Sequence, residues 1–498
     1  MSTPIEHVVV LMLENRSFGH MFAYSGIPNL AEVDTRKTNP TGTGAAAGTV
    51  PMSDTAANQL RSDPKHEFED VDWQLYRAAR GPASRPINLN GFVDRSGSVA
   101  MQCMAAKNLQ VLTQLGREYL VCDHWFSSLP GPTWPNRFFV HAGSSGGLSN
   151  SPGDLTTVGS LLTTSLGFSF ENGTIYEALE AAGRSWRVYH GDHFPQVCAI
   201  DSMPSVFVAS VDKFRSIDQF AADAQSGDMA DYTFIEPNYS ILTSFKSGDS
   251  QHPRGTISKG EALIREVYDA VANPRIWEKS LLVITYDEHG GFFDQMIPPS
   301  ATPPGDAALN PQKAKHPPNP PFAFDQLGIR VPAVIVSPWV KPKSVSQVPY
   351  DHTSVIKTVY EIFDLQGHLT ARDAAAASLR PLIQSTLQFA APITLDGTPL
   401  EAALAPLDTD PDTGDEDTAA LDGFTRIAAQ VHHALTTYQL GMEPHVLRAA
   451  VAASPEIAAL PGLPIAGGKD AQRAYIAQVA ALVEGHREML RAVVPNRP

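Results

Sequence analysis

The chain has 498 residues, enough for one large α/β domain with insertions or a second small domain, and its composition, 43% hydrophobic and 18% charged, is that of an ordinary globular protein. A formal net charge of -16 argues against nucleic acid as a partner, because a phosphate backbone needs a Lys/Arg field. Three cysteines, Cys103, Cys122 and Cys198, are too few and too scattered for a disulfide framework or a CxxC metal clip and read as reduced structural thiols.

Val8 to Leu13 is a continuous β-branched and aliphatic run, the pattern of a strand covered on both faces. It is too short to span a bilayer and has no basic stretch before it, so it reads as a core strand rather than a signal peptide. The expectation for the chain as written is a cytoplasmic protein, or an exported one if it is a processed form. The strand delivers Glu14 and Asn15 to the end of a sheet. From Asp34 to about Asp63 the sequence turns to Thr, Gly, Ala, Ser and Pro without an apolar period, which predicts a surface insertion.

Further strands are predicted at Ser185 to Tyr189, Tyr232 to Ile235, Leu281 to Tyr286 and Val331 to Ser337, with helices at Asn136 to Ala142, Ile175 to Ala182, Ser258 to Val271 and His352 to Phe363. This alternation predicts an α/β fold with a mostly parallel central sheet flanked by helices. The Pro-rich stretch from Pro298 to Pro321 is too long for a plain connection and reads as a wall or lid of the site. After an acidic linker around Asp408 to Asp417, helices at about Leu421 to Leu440 and Asp470 to Val493 read as a packing appendage. The chain divides on this reading into residues 1–400, a catalytic domain, and 401–498, a helical C-terminal region.

Four separated islands carry phosphate-ester or metal chemistry: Glu14 to Phe18, Gly131 to Arg137, Gln251 to Pro253, and Asp287 to Gly291. Thr133 is the candidate nucleophile. Its hydroxyl is inert at neutral pH unless a metal or base activates it, and it precedes Pro135 at the start of a predicted helix, where backbone N–H groups favour an anion. An isolated Thr-x-Pro is otherwise an ordinary helix cap. Glu14, Asn15, Asp287 and Glu288 offer three carboxylates and an amide oxygen, a hard anionic cage suited to one divalent cation such as Ca, Mg, Mn or Zn. Singly, such residues are more often caps and turns.

Taken in order, the islands resemble the bacterial phospholipase C and acid phosphatase family of phosphoesterases, of the alkaline-phosphatase-like superfamily, from about Ile5 to Phe363. The form Thr133-x-Pro135-x-Arg137 resembles the sulfatase nucleophile motif, with threonine where sulfatases carry cysteine or serine. The resemblance implies an alkaline-phosphatase-like core. It also implies a metal-assisted Thr133 alkoxide, a phosphate ester rather than a sulfate ester, and one divalent ion among Glu14, Asn15, Asp287, Glu288 and the Thr133 oxygen. The family's Asp-Pro-x-His and Gln-His-Pro settings recur as Asp63 to His66 and Gln251 to Pro253, which makes His66 and His252 candidates for protonating the leaving oxygen. His289 is a further candidate of the same kind. Arg137 either steadies the site or pairs structurally with a carboxylate.

Three features stand apart. The family commonly continues its first island with Asp after Ser-Phe, whereas Gly19 stands here, so a polar contact behind the metal is missing or replaced. His190, Asp192 and His193 form another cluster that reaches the pocket rim, holds a second ion or makes a structural turn. Trp125, Phe126, Phe292 and Phe293 either line the leaving-group side or are buried aromatics. The expected activity is phospholipase C-like phosphodiester hydrolysis, with acid phosphatase action on monoesters or mere binding of a phosphorylated ligand as alternatives. The expected partner is a phosphate ester, a phospholipid headgroup included, met without stable membrane insertion.

Overall fold

The computed structural model describes residues 3–42, 48–77, 86–153, 167–318, 321–396, 415–439 and 468–493. Its centre is an eight-stranded sheet. In chain order the strands are β1 (His7–Leu13), β4 (Leu120–Cys122), β5 (Trp186–His190), β6 (Phe214–Ser216), β7 (Tyr232–Glu236), β8 (Ser280–Tyr286), β9 (Ala333–Val336) and β10 (Ser344–Ser346). A separate hairpin pairs β2 (Thr38–Thr41) with β3 (Gly48–Pro51). The sheet order is β10-β4-β9-β8-β1-β7-β5-β6, with β9 antiparallel to both neighbours and every other pairing parallel.

The central strands are buried on both faces, as their unbroken apolar runs require: β8 is buried at all seven positions and β1 at all but His7. The register of β1 against β8 ends with Leu13 opposite Tyr286, so one further step sets Glu14 level with Asp287. Two of the acidic islands therefore emerge side by side from neighbouring strand ends, because parallel strands bring their carboxyl ends to one edge of the sheet. The predicted α/β architecture is the one observed. Strands β4, β6 and β10, three residues each, were too short to leave a periodic signal.

The insertion after Asp34 is not merely surface. It contains the hairpin, it buries Asn39, Met52 and Leu60, and Asn39 donates to the Leu89 carbonyl at 2.7 Å. The C-terminal helices Asp415–Gln439 and Gly468–Val493 pack against each other and join the same hydrophobic core as the sheet through Phe424, Ile427, Val431, Ile476 and Val479. Most of the proposed acidic linker lies outside the described residues, and its last residues, from Asp415, begin the first of these helices. The three cysteines are free and buried. No helix among the described residues is long and apolar enough to cross a membrane.

Candidate active site

Thr133 is the first residue of the helix Thr133–Ala142, three residues earlier than the apolar pattern alone placed its start. Asn136 fixes this turn: its Oδ1 accepts from Leu129 N at 3.1 Å and its Nδ2 donates to the Gly131 and Pro132 carbonyls at 2.9 and 3.1 Å. The loop that carries Thr133 is thus tied to its own helix. Thr133 Oγ1 accepts from Asn15 Nδ2 at 3.2 Å, which joins the end of β1 to the helix start.

The four islands converge. His66 Nε2 stands 3.0 Å from Asn15 Nδ2 and 3.5 Å from Glu288 Oε1, while its Nδ1 donates to the Pro64 carbonyl at 2.7 Å. Arg137 Nε donates to Asp287 Oδ2 at 3.0 Å, its Nη2 lies 4.0 Å from Glu14 Oε2, and its guanidinium sits over the Tyr239 ring at 5.1 Å. The side chain is buried, so the two readings of Arg137 merge: it is paired with a carboxylate, and that carboxylate belongs to the site. His252 Nε2 meets Asp63 Oδ2 at 2.9 Å and its ring stacks on Phe245 at 3.8 Å. Glu14, Asn15, His66, Thr133 and His252 line one narrow cleft of about 40 Å³.

His289 does not open onto this cleft. Its Nε2 donates to Gln74 Oε1 at 2.7 Å and its Nδ1 lies 3.3 Å from Glu288 Oε2, so it supports the acid from behind. Burial and the nearby His66 hold it well below the ordinary imidazole range, which keeps it neutral. The turn after Glu288 depends on Gly290, whose φ of 62° and proximity to the Asn15 backbone leave no room for a side chain. Gly290 N in turn donates to Glu288 Oε2 at 2.8 Å.

Three acids are buried here against one arginine. Glu14 is raised well above its ordinary value by burial and then by Asp287, Asp287 is raised by burial against the opposing pull of Arg137, and Glu288 is pushed up to about 8 by burial. Glu14 Oε1, Asn15 Oδ1 and Glu288 Oε1 have no hydrogen-bond partner, although each is buried. Such oxygens are costly unless something positive meets them, and they are hard donors of the kind a divalent cation takes. Among the described residues no three His, Cys, Asp or Glu side chains stand together as a finished ligand cluster. The free oxygens include an amide, and both Asp287 oxygens are engaged, by Arg137 and by Glu288 N.

Other expectations fall elsewhere. Trp125 stacks on Tyr350 and donates to His352 Nδ1 at 3.3 Å, which leaves His352 Nε2 to donate to the Asp287 carbonyl at 2.6 Å. Phe126 packs with Met296 and Leu327, Phe292 lies against His20, and Phe293 packs edge-on to Phe92. None of these four lines the cleft. The aromatics that do are Trp134, Tyr239, Phe245 and Phe424. The described part of the Pro298 to Pro321 stretch also stays off the cleft, where Asn310 instead donates to the Ser145 and Ser169 carbonyls. His190, Asp192 and His193 line a different cavity, of about 680 Å³, against the C-terminal helix. Beside Gly19 the carboxylate is that of Asp294, which accepts from Gly19 N at 2.8 Å and pairs with Arg330; a Cβ at position 19 would stand 2.9 Å from the Phe293 carbonyl. A side chain at position 19 has no space here, and the acid beside it is Asp294.

The sequence profile of the phosphoesterase family matches residues 5–366, which contain every island of the cleft. The chain belongs to the phosphoesterase family. It is similar to non-specific phospholipase C3 of Arabidopsis thaliana, 31% identical over 80% of this chain and 77% of the relative. It is also similar to phospholipase C B of Mycobacterium tuberculosis, 28% identical over 78% of this chain and 79% of the relative. Among solved structures, the phosphonate monoester hydrolase of Silicibacter pomeroyi overlaps 55% of this chain and 71% of its own at 12% identity, with a TM-score of 0.27, too low to add to the fold described above. This phosphoesterase is a phosphoric ester hydrolase, and its substrate is a phosphate ester. Asp63, Tyr239 and Phe424 were missed as site residues. Asp63 was signalled by its place beside His66, whereas Tyr239 and Phe424 carry no local signature.

Proposed function

We propose that the phosphoesterase hydrolyses a phosphodiester in the manner of a phospholipase C, through a covalent phosphothreonine at Thr133. The observation that carries this reading is the Thr133 hydroxyl at a helix N-terminus, held by Asn15 in a cleft that also contains His252. The names of its relatives support the diester and a phospholipid substrate. Thr133 Oγ1, its proton lost to solvent, attacks phosphorus as the alkoxide while the bond to the leaving alcohol oxygen breaks, and it is released again as the alkoxide when water cleaves the phosphothreonine. Asn15 Nδ2 donates to that oxygen in its anionic form. The helix N-terminus provides backbone N–H groups for the phosphoryl oxygens. The proton held between His252 Nε2 and Asp63 Oδ2, 2.9 Å apart at the cleft, passes to the leaving alcohol oxygen and is recovered from the water that cleaves the phosphothreonine. His66, engaged at both ring nitrogens, orients the Asn15 amide.

Glu14, Asn15, Asp287 and Glu288, with the Thr133 oxygen, would hold one divalent cation, and the three partnerless buried oxygens fit that use. Bound there, it supplies positive charge that lowers the hydroxyl pKa and stabilises phosphoryl oxygens.

The small cleft favours a second reading, action on phosphomonoesters with little beyond the phosphoryl group to accommodate. Turnover of a chromogenic diester and a chromogenic monoester, each with and without chelator, separates the two. Chelator-sensitive diester hydrolysis with the higher kcat/KM supports the phospholipase reading, the reverse preference moves the enzyme to acid phosphatase, and turnover of neither removes both.

A further inference from the structure

The cleft beside Thr133 is walled by a residue from outside the segment that matches the family. Phe424, on the helix Asp415–Gln439, packs edge-on to Trp134 with ring centroids 5.9 Å apart and lies 5.7 Å from the Tyr239 ring. Trp134 is the neighbour of the nucleophile, and Tyr239 carries Arg137 on its ring face. Ala420, one helical turn before Phe424, lines the same cleft. The close approach is specified by sequence: Gly423 lies against the Trp134 indole so tightly that a Cβ there would collide with it. Gln472 on the second C-terminal helix donates to Asp422 at 2.6 Å and anchors the turn that presents these residues.

With Phe424 in this position the cleft measures about 40 Å³, room for a few water molecules or a phosphoryl group. Pockets that enclose a drug-sized ligand are about 300–1,000 Å³. We infer that Phe424 is a specificity-determining residue, which limits the size of the group esterified to the phosphate at Thr133. The inference rests on the proposed reaction at Thr133 and deepens it: bulky phosphodiesters require the Phe424 ring to leave its seat between Trp134 and Tyr239, and small phosphate esters do not. Single-methylene changes in a pocket already shift discrimination by about tenfold or more, so removal of a phenyl ring is a large change.

The test is the ratio of kcat/KM for a phosphatidylcholine substrate in mixed micelles to that for a small chromogenic phosphate ester, in wild type and in Phe424→Leu, Phe424→Ala and Ala420→Phe. The ratio should rise through Leu to Ala by at least about tenfold and fall below wild type in Ala420→Phe. Thermal melts identify any variant that fails to fold, and the Leu and Ala420→Phe variants carry the test in that event. A ratio that stays constant across the folded variants, whatever happens to the rates themselves, overturns the inference. If wild type turns over neither ester, the proposed reaction fails, and Phe424 is judged by calorimetry with glycerophosphocholine and inorganic phosphate. A gain in affinity for the first relative to the second in Phe424→Leu sustains the size limit, and no relative gain ends it.

Discussion

Asn15 Nδ2 donates to Thr133 Oγ1 at 3.2 Å across 118 residues of sequence. That bond couples the end of the central strand β1 to the N-terminus of the helix that carries the proposed nucleophile. It also places a neutral donor of the acidic cluster on the oxygen that carries negative charge in the proposed reaction. Replacing Asn15 by Ala should lower kcat on the order of a hundredfold or more while leaving the thermal melt within a few degrees, because the bond matters most when the oxygen is charged. A loss confined to KM, measured in steady-state assays, would remove Asn15 from the chemistry.

Arg137 holds Asp287 at 3.0 Å and stands 4.0 Å from Glu14 with all three side chains buried. Arg137→Met should therefore destabilise the fold by about 3–5 kcal/mol in chemical denaturation, since it strands buried carboxylates rather than removing a surface pair. Arg137→Lys should recover little, because an ammonium cannot reach Asp287 together with the Met12 and Leu13 carbonyls that the guanidinium also contacts. A cost below about 1 kcal/mol for the Met variant would show that the acids are neutralised by other means.

Acid sensitivity follows from buried histidines, His141 and His20 among them. His141 is depressed to about 3 by burial and by the neighbouring Arg137 charge, and His20 is held well below its ordinary value by burial and by Arg16, whose Nη1 lies 3.1 Å from His20 Nε2. Below an unfolded value of about 6.5 the unfolded chain binds protons at these positions that the folded chain refuses. The stability these two histidines contribute is thus complete above about pH 6.5 and falls as pH drops toward 3. His20→Gln, which keeps an acceptor for Arg16 without the titration, should flatten the slope of denaturation midpoint against pH between 6.5 and 4. An unchanged slope would rule out His20 as a source.

A divalent ion among Glu14, Asn15, Asp287 and Glu288 should be visible without any assay of turnover. Chelation should lower Tm and readdition should restore it in a concentration-dependent way, as binding to the folded state alone requires. Glu288→Gln should lose most of that Tm response. Identical melts with and without chelator, on protein shown by elemental analysis to have carried metal, would place the ion elsewhere.

The parallel strands β1, β7 and β8 were legible in sequence because doubly buried strands are written as unbroken apolar runs, and their carboxyl ends identified Glu14, Asn15, Asp287 and Glu288 as neighbours. The helix start at Thr133 was placed late because Trp134 and Pro135 carry no helical period, and its first turn is fixed by Asn136, a side-chain to backbone arrangement that spacing does not reveal. His289 reads like His66 in sequence, and only the position of Gln74 makes it a supporting group. The aromatic wall was misplaced for a similar reason. Phe292 and Phe293 are close to the acids in sequence, whereas Phe424 reaches the cleft through tertiary packing of a distant helix.

The central claim is that phosphorus is bonded to Thr133 during turnover. Rapid mixing with a phosphodiester labelled in its phosphoryl group, quenching in acid and mapping of the labelled peptide tests it directly. The account predicts label on the peptide containing Thr133, retained at reduced occupancy on Ser in Thr133→Ser and absent in Thr133→Ala, which should lose several orders of magnitude in rate. Label on another residue, or a Thr133→Ala enzyme that keeps more than roughly a tenth of the wild-type rate, would contradict it.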